Sequence, residues 1–316
     1  MLIRPISGTL LALRDAAARE SNVACSQPNT AWRLLDALNK NGKAVYVWKY
    51  PHNLPRHKFE EVKLPCRKCD GCRLNYAREW AIRSWHEAAE YDHNVFLTLT
   101  FNEEHMNPTG ELIKSDFQKF MKRLRKFVDN YEYNFHLLKY VKRPVKLSKM
   151  DASVQQAERV RYTHCGEYGE KRLRPHHHAC LFNMEFWDKY QFGTSNGLPI
   201  YNSRTLDWLW SNKKTNYEKA MAIQDDKEFQ EYIDHRGWAV IGSVTFESAA
   251  YVARYITKKA QRTTKVGKQA EYMTQSRNPG IGRAWIDKYY TDVYPFDFIG
   301  LTDDRKMKVP RYYDKV

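Results

Sequence analysis

The chain has 316 residues, 42% hydrophobic and 14% aromatic, enough bulky side chains to offset chain entropy over most of its length and to exclude wholesale disorder. Its 52 Lys and Arg outweigh 37 Asp and Glu, a formal charge of +15, which favours a polyanionic partner. No apolar run reaches the roughly 18 residues of a membrane span, and the segment 1–20, interrupted by Ser7, Gly8 and Thr9, does not read as a secretory signal.

Residues 1–62 read as an accessory region, with a short helical stretch at Thr30–Leu38 and a strand at Lys43–Tyr50. Cys66-x2-Cys69-x2-Cys72 then sets three thiols close together, a soft-ligand cluster suited to zinc if a fourth ligand arrives from elsewhere. Cys25 can supply it; free thiols or an iron–sulfur cluster are the alternatives. Thiols this tightly spaced do not suit a disulfide framework, which points to a reducing cytoplasm. Cys165 and Cys180, lying within strands, read as small buried side chains.

Leu74–Glu90 carries Trp80, Ile82, Trp85 and Ala88 at roughly helical spacing. Val95–Phe101 alternates β-branched and aromatic residues and reads as a central strand with Thr98 and Thr100 on one face. Ser115 with Gln118 resembles a capping box, opening a helix whose buried stripe is Phe117, Phe120, Met121, Leu124 and Phe127 and whose other face is basic. Arg159–Glu167 and His176–Phe182 read as an antiparallel hairpin around a charged turn. Residues 185–236 resemble a helical insertion, Trp238–Phe246 a strand and Ser248–Ala260 a helix. This order of elements predicts an α+β fold, a central antiparallel sheet flanked by helices, with a small Cys-rich N-terminal element.

Two patterns carry chemistry. In Arg174-Pro-His-His-His178, His176 and His178 share one strand face and can chelate a divalent ion, while His177 points to the other side. Mg or Mn would favour a carboxylate as third ligand. Glu167, on the neighbouring strand, is the first candidate and His164 the second. In Tyr251-Val-Ala-Arg-Tyr255-Ile-Thr-Lys258-Lys259, two tyrosines share a helix face, with lysines following. A phenol of pKa near ~10 is a poor nucleophile unless its proton is withdrawn or its anion stabilised, and a metal together with Lys258, or Lys259, can do both. Tyrosine, metal and a basic surface point to chemistry on a phosphodiester.

The positive charge is uneven. Ten basic residues lie between Lys114 and Lys146, and eight between Arg254 and Arg283, giving two candidate phosphate tracks. Arg123, Lys126, Arg172 and Arg174 are the expected phosphate contacts. Trp80, Trp85, Tyr162 and Tyr168 are available for base stacking, although most aromatics serve a core.

Phe96-Leu-Thr-Leu-Thr-Phe101, Cys165-Gly-Glu-Tyr-Gly169, Arg-Pro-His-His-His178 and Tyr251 to Lys258, in that order, resemble the motifs of HUH rolling-circle replication initiators, most closely those of gokushovirus-type Microviridae. The resemblance extends over roughly residues 25–290 and includes Pro65–Cys72 and Arg277-Asn-Pro-Gly-Ile-Gly282; the first 23 residues look like an extension. It implies an RRM-like central sheet, metal ligands at His176 and His178 and paired nucleophiles at Tyr251 and Tyr255. It also implies nicking and rejoining of single-stranded or origin DNA through a 5′-phosphotyrosine, in the cytoplasm of a bacterial host and alongside host helicase and polymerase. The expected organisation is an accessory region at 1–92, an endonuclease core at 93–262 and a basic extension at 263–316. A transposase or relaxase of the same chemistry, or a zinc-stabilised nucleic-acid-binding protein without catalysis, are the competing readings.

Overall fold

The computed structural model of the protein describes residues 25–40, 42, 44–169, 171–253, 269–302 and 305–315. These fall into two compact units, one ending at Tyr76 and the other beginning at Ala77.

In the first unit, β1 (Asn29–Leu38), β2 (Ala44–Val47) and β3 (Phe59–Leu64) form an antiparallel sheet in the order β2-β1-β3. The helix expected at Thr30–Leu38 is therefore a strand. Ala31, Leu34, Leu35 and Leu38 have helical spacing, but the central strand satisfies its backbone on both sides, pairing Trp32 with Val47 and with Glu61. Those partners override the local pattern. A small aromatic core follows, with Trp32 edge-on to Tyr50 at 5.6 Å and Tyr50 edge-on to Phe59 at 5.3 Å.

The second unit is built on a seven-stranded sheet. Its strands are β4 (Asn94–Leu99), β7 (Arg161–Tyr168), β8 (Pro175–Phe182), β9 (Tyr190–Ser195), β10 (Leu198–Asn202), β11 (Ala239–Ser243) and β12 (Tyr272–Gln275). They are ordered β12-β7-β8-β4-β11-β10-β9, and every pairing is antiparallel. The central strand expected at Val95–Phe101 is β4, the fourth of the seven. Helix α1 (Asp70–Ala88) precedes it; α2 (Lys114–Asn130), the small hairpin β5 (Tyr131–Asn134) and β6 (Lys139–Lys142), and α3 (Ala152–Ala157) follow it.

Strand alternation divides the sheet into two faces. Val95, Leu97 and Leu99 of β4, Ala179 and Leu181 of β8 and Ala239 and Ile241 of β11 meet Phe117, Phe120, Met121, Leu124 and Phe127 of α2. The helical stripe read from the sequence is thus the one that is buried. The capping box is not: α2 starts at Lys114 after Ile113, with no side-chain cap. On the other face, Cys165, Cys180 and Phe182 meet Ala77, Trp80 and Ala81 of α1 and Ala249, Val252 and Ala253 of a helix over 246–253, here α7.

The 185–236 insertion is helical only in its second half. It opens with the β9–β10 hairpin, whose Asn196 and Gly197 both have positive φ (51° and 78°). Asn-Gly is the sequence signal for such a turn, and it adds two strands to the sheet. Helices α4 (Arg204–Leu209), α5 (Tyr217–Ala222) and α6 (Asp226–Ile233) follow, each opened by a capping side chain, Ser203, Asn216 and Asp225.

The stretch Arg277–Gly282 is clamped to α1. Arg83 Nε donates to the Ile281 carbonyl at 3.0 Å, and the Glu87 carboxylate accepts from the Gly282 N–H at 2.6 Å while pairing with buried Arg161. Gly282 has φ 77°, and a Cβ there would collide with the Tyr313 hydroxyl, so glycine is required. Helix α8 (Arg283–Val293) and strands β13 (Phe298–Thr302) and β14 (Arg305–Lys308) complete the unit.

Candidate metal centre and tyrosine site

Strand register assembles the centre. Glu167 of β7 lies directly opposite His176 of β8, and Cys165 opposite His178, so Glu167, His176 and His178 share one face. One ligand atom from each lies within 4.8 Å of the others. His176 Nε2 and His178 Nε2 approach the same carboxylate oxygen, Glu167 Oε1, at 3.1 and 3.3 Å. Two imidazole nitrogens and a carboxylate oxygen suit a divalent ion of the Mg or Mn kind or a first-row transition metal. His176 Nδ1 sits 3.1 Å from the Arg174 carbonyl, and His178 Nδ1 sits 3.0 Å from Thr98 Oγ1. Such outer contacts hold a liganding imidazole in orientation. Phe96 stacks on His178 with ring centroids 5.6 Å apart.

Tyr251 reaches the same point. Its hydroxyl donates to Glu167 Oε1 at 2.7 Å, and its ring lies edge-on to His178 at 4.9 Å. A reciprocal capping box aims the helix: the Thr245 N–H donates to Ser248 Oγ at 2.8 Å and the Ser248 N–H to Thr245 Oγ1 at 3.1 Å. Burial pushes the Glu167 carboxyl up, but the hydrogen bonds from His176, His178 and Tyr251 outweigh it and hold the group well below the ordinary carboxylate range. Tyr255, Lys258 and Lys259 lie outside the described residues.

His177 and His164 point to the opposite face, as strand parity requires. His164 Nε2 and His177 Nδ1 are 3.1 Å apart, and His164 Nδ1 is 2.9 Å from Thr274 Oγ1. Phe117 stacks on His164 with centroids 3.5 Å apart. Burial pushes His177 down to about 3 and His164 well below its ordinary value, so both are neutral core side chains. His164 is thereby removed as a third metal ligand. Cys165 and Cys180 are fully buried free thiols, and burial pushes Cys180 up to about 12.

The expected phosphate contacts separate. Helix α2 covers the sheet face opposite Glu167, so Arg123 and Lys126 lie on the far side of the sheet from the histidines. Arg123 donates to the carbonyls of Leu209, Ser211 and Asn212, closing the end of α4. Lys126 is exposed. Arg174 pairs with Glu103 and donates to the Phe101 carbonyl at 2.9 Å, which ties the start of β8 to the end of β4. Arg172, in the β7–β8 turn, is exposed. Sequence reasoning placed Thr98 on a face but gave it no task; the pairing of Thr98 with His178 across β4 and β8 is a tertiary fact.

In the first unit, Cys25, Cys66, Cys69 and Cys72 bring their sulfurs within 4.8 Å of one another. Cys69 Sγ is 3.8 Å from Cys25 Sγ and Cys66 Sγ 4.0 Å from Cys72 Sγ. Zn–S bonds of about 2.3 Å in a tetrahedron give sulfur–sulfur edges of about 3.8 Å, so these residues fit a four-coordinate metal. The Cys69 and Lys68 N–H groups point at Cys66 Sγ at 3.3 and 3.4 Å and lower its pKa. The backbone N–H of Cys72, helped by Ser26, lowers Cys69 to about 5, whereas burial pushes Cys72 up to about 12.

No helix among the described residues is long and apolar enough to cross a membrane, and no solved structure matches the chain. Residues 94–264, which contain the metal centre and both tyrosines, match the replication-associated protein ORF2 family. The chain is 34% identical over 278 residues to the replication-associated protein VP4 of Bdellovibrio phage phiMH2K, covering 87% of this chain and 73% of that protein. It is 28% identical over 308 residues to the replication-associated protein ORF2 of Spiroplasma virus 4, covering 93% and 80%. A third relative, the replication-associated protein ORF4 of Chlamydia phage 1, is 26% identical over 201 residues, 62% of this chain and 38% of the relative. Extent of match and order of motifs agree, and the chain belongs to the replication-associated protein ORF2 family.

Proposed function

We propose that the protein is a rolling-circle replication initiator, a metal-dependent endonuclease and strand transferase that nicks and rejoins single-stranded origin DNA through tyrosine. The hydrogen bond from the Tyr251 hydroxyl to Glu167, the carboxylate shared by His176 and His178, carries this reading, because it sets a nucleophile against a metal-ligand set. A divalent ion held by Glu167, His176 and His178 would polarise the scissile phosphate and offset charge developing on its oxygens. Glu167 orients the phenol, and its depressed basicity keeps it an acceptor in the resting state. In the reaction, the tyrosine oxygen attacks phosphorus, the phenolic proton passes to solvent or a nearby base, and the bond to the 3′-oxygen breaks. A 5′-phosphotyrosine and a 3′-hydroxyl result, the latter available to a polymerase of the host. One phosphodiester replaces another, so attack by the 3′-hydroxyl of a returning end rejoins the strand. Tyr255, four residues on, is the partner nucleophile, and Lys258 and Lys259 are the cations for the phosphate or phenolate. Arg172 supplies an exposed cation on the turn that joins the two liganding strands. The four-cysteine group acts as a structural zinc site.

The test is incubation with single-stranded origin DNA and Mn or Mg, followed by denaturing electrophoresis. A covalent protein–DNA adduct is expected from the wild type. An adduct persisting in the Tyr251→Phe, Tyr255→Phe double variant would sink the assignment.

A further inference from the structure

We propose that Thr98 is a positioning residue that accommodates the choice of which His178 nitrogen carries the hydrogen, and so lets His178 serve as a metal ligand without moving its ring. The inference rests on the reading of Glu167, His176 and His178 as a divalent-metal site.

The two histidines are held by different chemistry. His176 Nδ1 faces the Arg174 carbonyl at 3.1 Å. A carbonyl only accepts, so Nδ1 carries the hydrogen and the neutral ring presents a bare Nε2 toward Glu167. His178 Nδ1 faces Thr98 Oγ1 at 3.0 Å, and a hydroxyl donates or accepts as its hydrogen rotates. His178 is therefore compatible with both tautomers. With Nε2 protonated, it donates toward Glu167 Oε1, 3.3 Å away, while Thr98 donates to Nδ1. With the hydrogen on Nδ1, Thr98 accepts it and Nε2 turns its lone pair on the site.

Register and packing fix this pair. Thr98 and His178 lie directly opposite each other in the β4–β8 ladder, and Phe96 stacks on the His178 ring at an interplanar angle of 14°. The change between the two states is a tautomeric exchange, one N–H lost and one gained on the same ring, with no net proton uptake. Valine has the shape of threonine but supports neither tautomer at Nδ1. Serine keeps the hydroxyl.

The experiment measures Mn2+ affinity of the full chain by electron paramagnetic resonance of free Mn2+, for wild type, His178→Ala, Thr98→Val and Thr98→Ser. It adds 15N spectra of histidine-labelled protein without metal and with Mg2+, His178 being assigned by its loss in His178→Ala. Thr98→Val is expected to bind Mn2+ about 10–100-fold more weakly, the range for outer-shell partners, with Thr98→Ser near wild type. The wild-type His178 signals should change from the Nε2–H to the Nδ1–H pattern on adding Mg2+. Wild-type affinity in Thr98→Val, a Thr98→Ser variant as weak as the valine one, or one unchanged tautomer in both states would each overturn the inference. If His178→Ala binds Mn2+ as wild type does, the metal reading itself fails, and Thr98 with it.

Discussion

Tyr251 and Glu167 are joined by a 2.7 Å hydrogen bond between α7 and β7, 84 residues apart in the chain. The oxygen that accepts it is also the one nearest both liganding imidazoles. Tyr251→Phe removes the hydroxyl and leaves those groups in place, so nucleophile and metal affinity separate. Mn2+ binding should remain within about twofold of wild type, because second-sphere losses at a metal run to ~10–100-fold only when a ligand's own partner is removed. First-strand nicking should fall by roughly a thousandfold or more if Tyr251 makes the first cut. Adduct mapping on single variants reads the order: if Tyr251→Phe still forms the first adduct at wild-type rate, Tyr255 is the initiating nucleophile.

Much of this geometry was legible because strand parity is a strict rule. His176 and His178 share a face, His177 does not, and a partner such as Glu167 on the neighbouring strand can join them. The roles of Arg123 and Arg174 were not legible. A guanidinium on a basic helix looks the same in sequence whether it meets a phosphate or closes the end of α4, and only packing assigned Arg123 to the Leu209, Ser211 and Asn212 carbonyls. Thr30–Leu38 misled for a related reason: its helical spacing is real, but two flanking strands supply better backbone partners.

Arg123 and Arg172 should therefore answer differently to substitution. Arg123→Ala leaves buried carbonyls of α4 without their donor and should cost about 1–3 kcal/mol of stability, with the salt dependence of DNA binding unchanged. Arg172→Ala should leave thermal stability alone and reduce the slope of log K against log salt by about 1 if that side chain neutralises a phosphate. Chemical denaturation and binding titrations at several salt concentrations separate the two. Equal effects from both variants would contradict the assignment of Arg123 to the fold.

The four-cysteine group makes a stoichiometric claim. Purified protein should carry about one zinc per chain, the number a single four-thiolate site holds, measurable by plasma emission spectrometry. Cys72→Ser should lose the metal, since burial pushes the Cys72 thiol up to about 12 and only coordination would make a buried thiolate favourable there. Chelation should reduce the thermal stability of the wild type and have little effect on the Cys72→Ser variant. Zinc retained at full occupancy by that variant would move the site elsewhere.

Asp207 sets a pH dependence away from the metal centre. The side chain is 4% exposed in α4, and burial, opposed in part by Gln230 and reinforced by Asp188, pushes its carboxyl up to about 7. In the unfolded chain an aspartate has a pKa near ~3.9, so between that value and about 7 the unfolded state releases a proton that the folded state retains. The raised folded-state pKa gives a contribution fully present below ~3.9 and progressively lost as pH rises through about 7. Asp207→Asn preserves shape and removes the titration. Relative to wild type, the variant should gain stability steadily between pH 5 and pH 8, at a rate of up to ~1.4 kcal/mol per pH unit. Thermal melts of both proteins across that range would show diverging curves; parallel curves would mean that Asp207 is ionised in the fold and that its burial is relieved by a partner or by water.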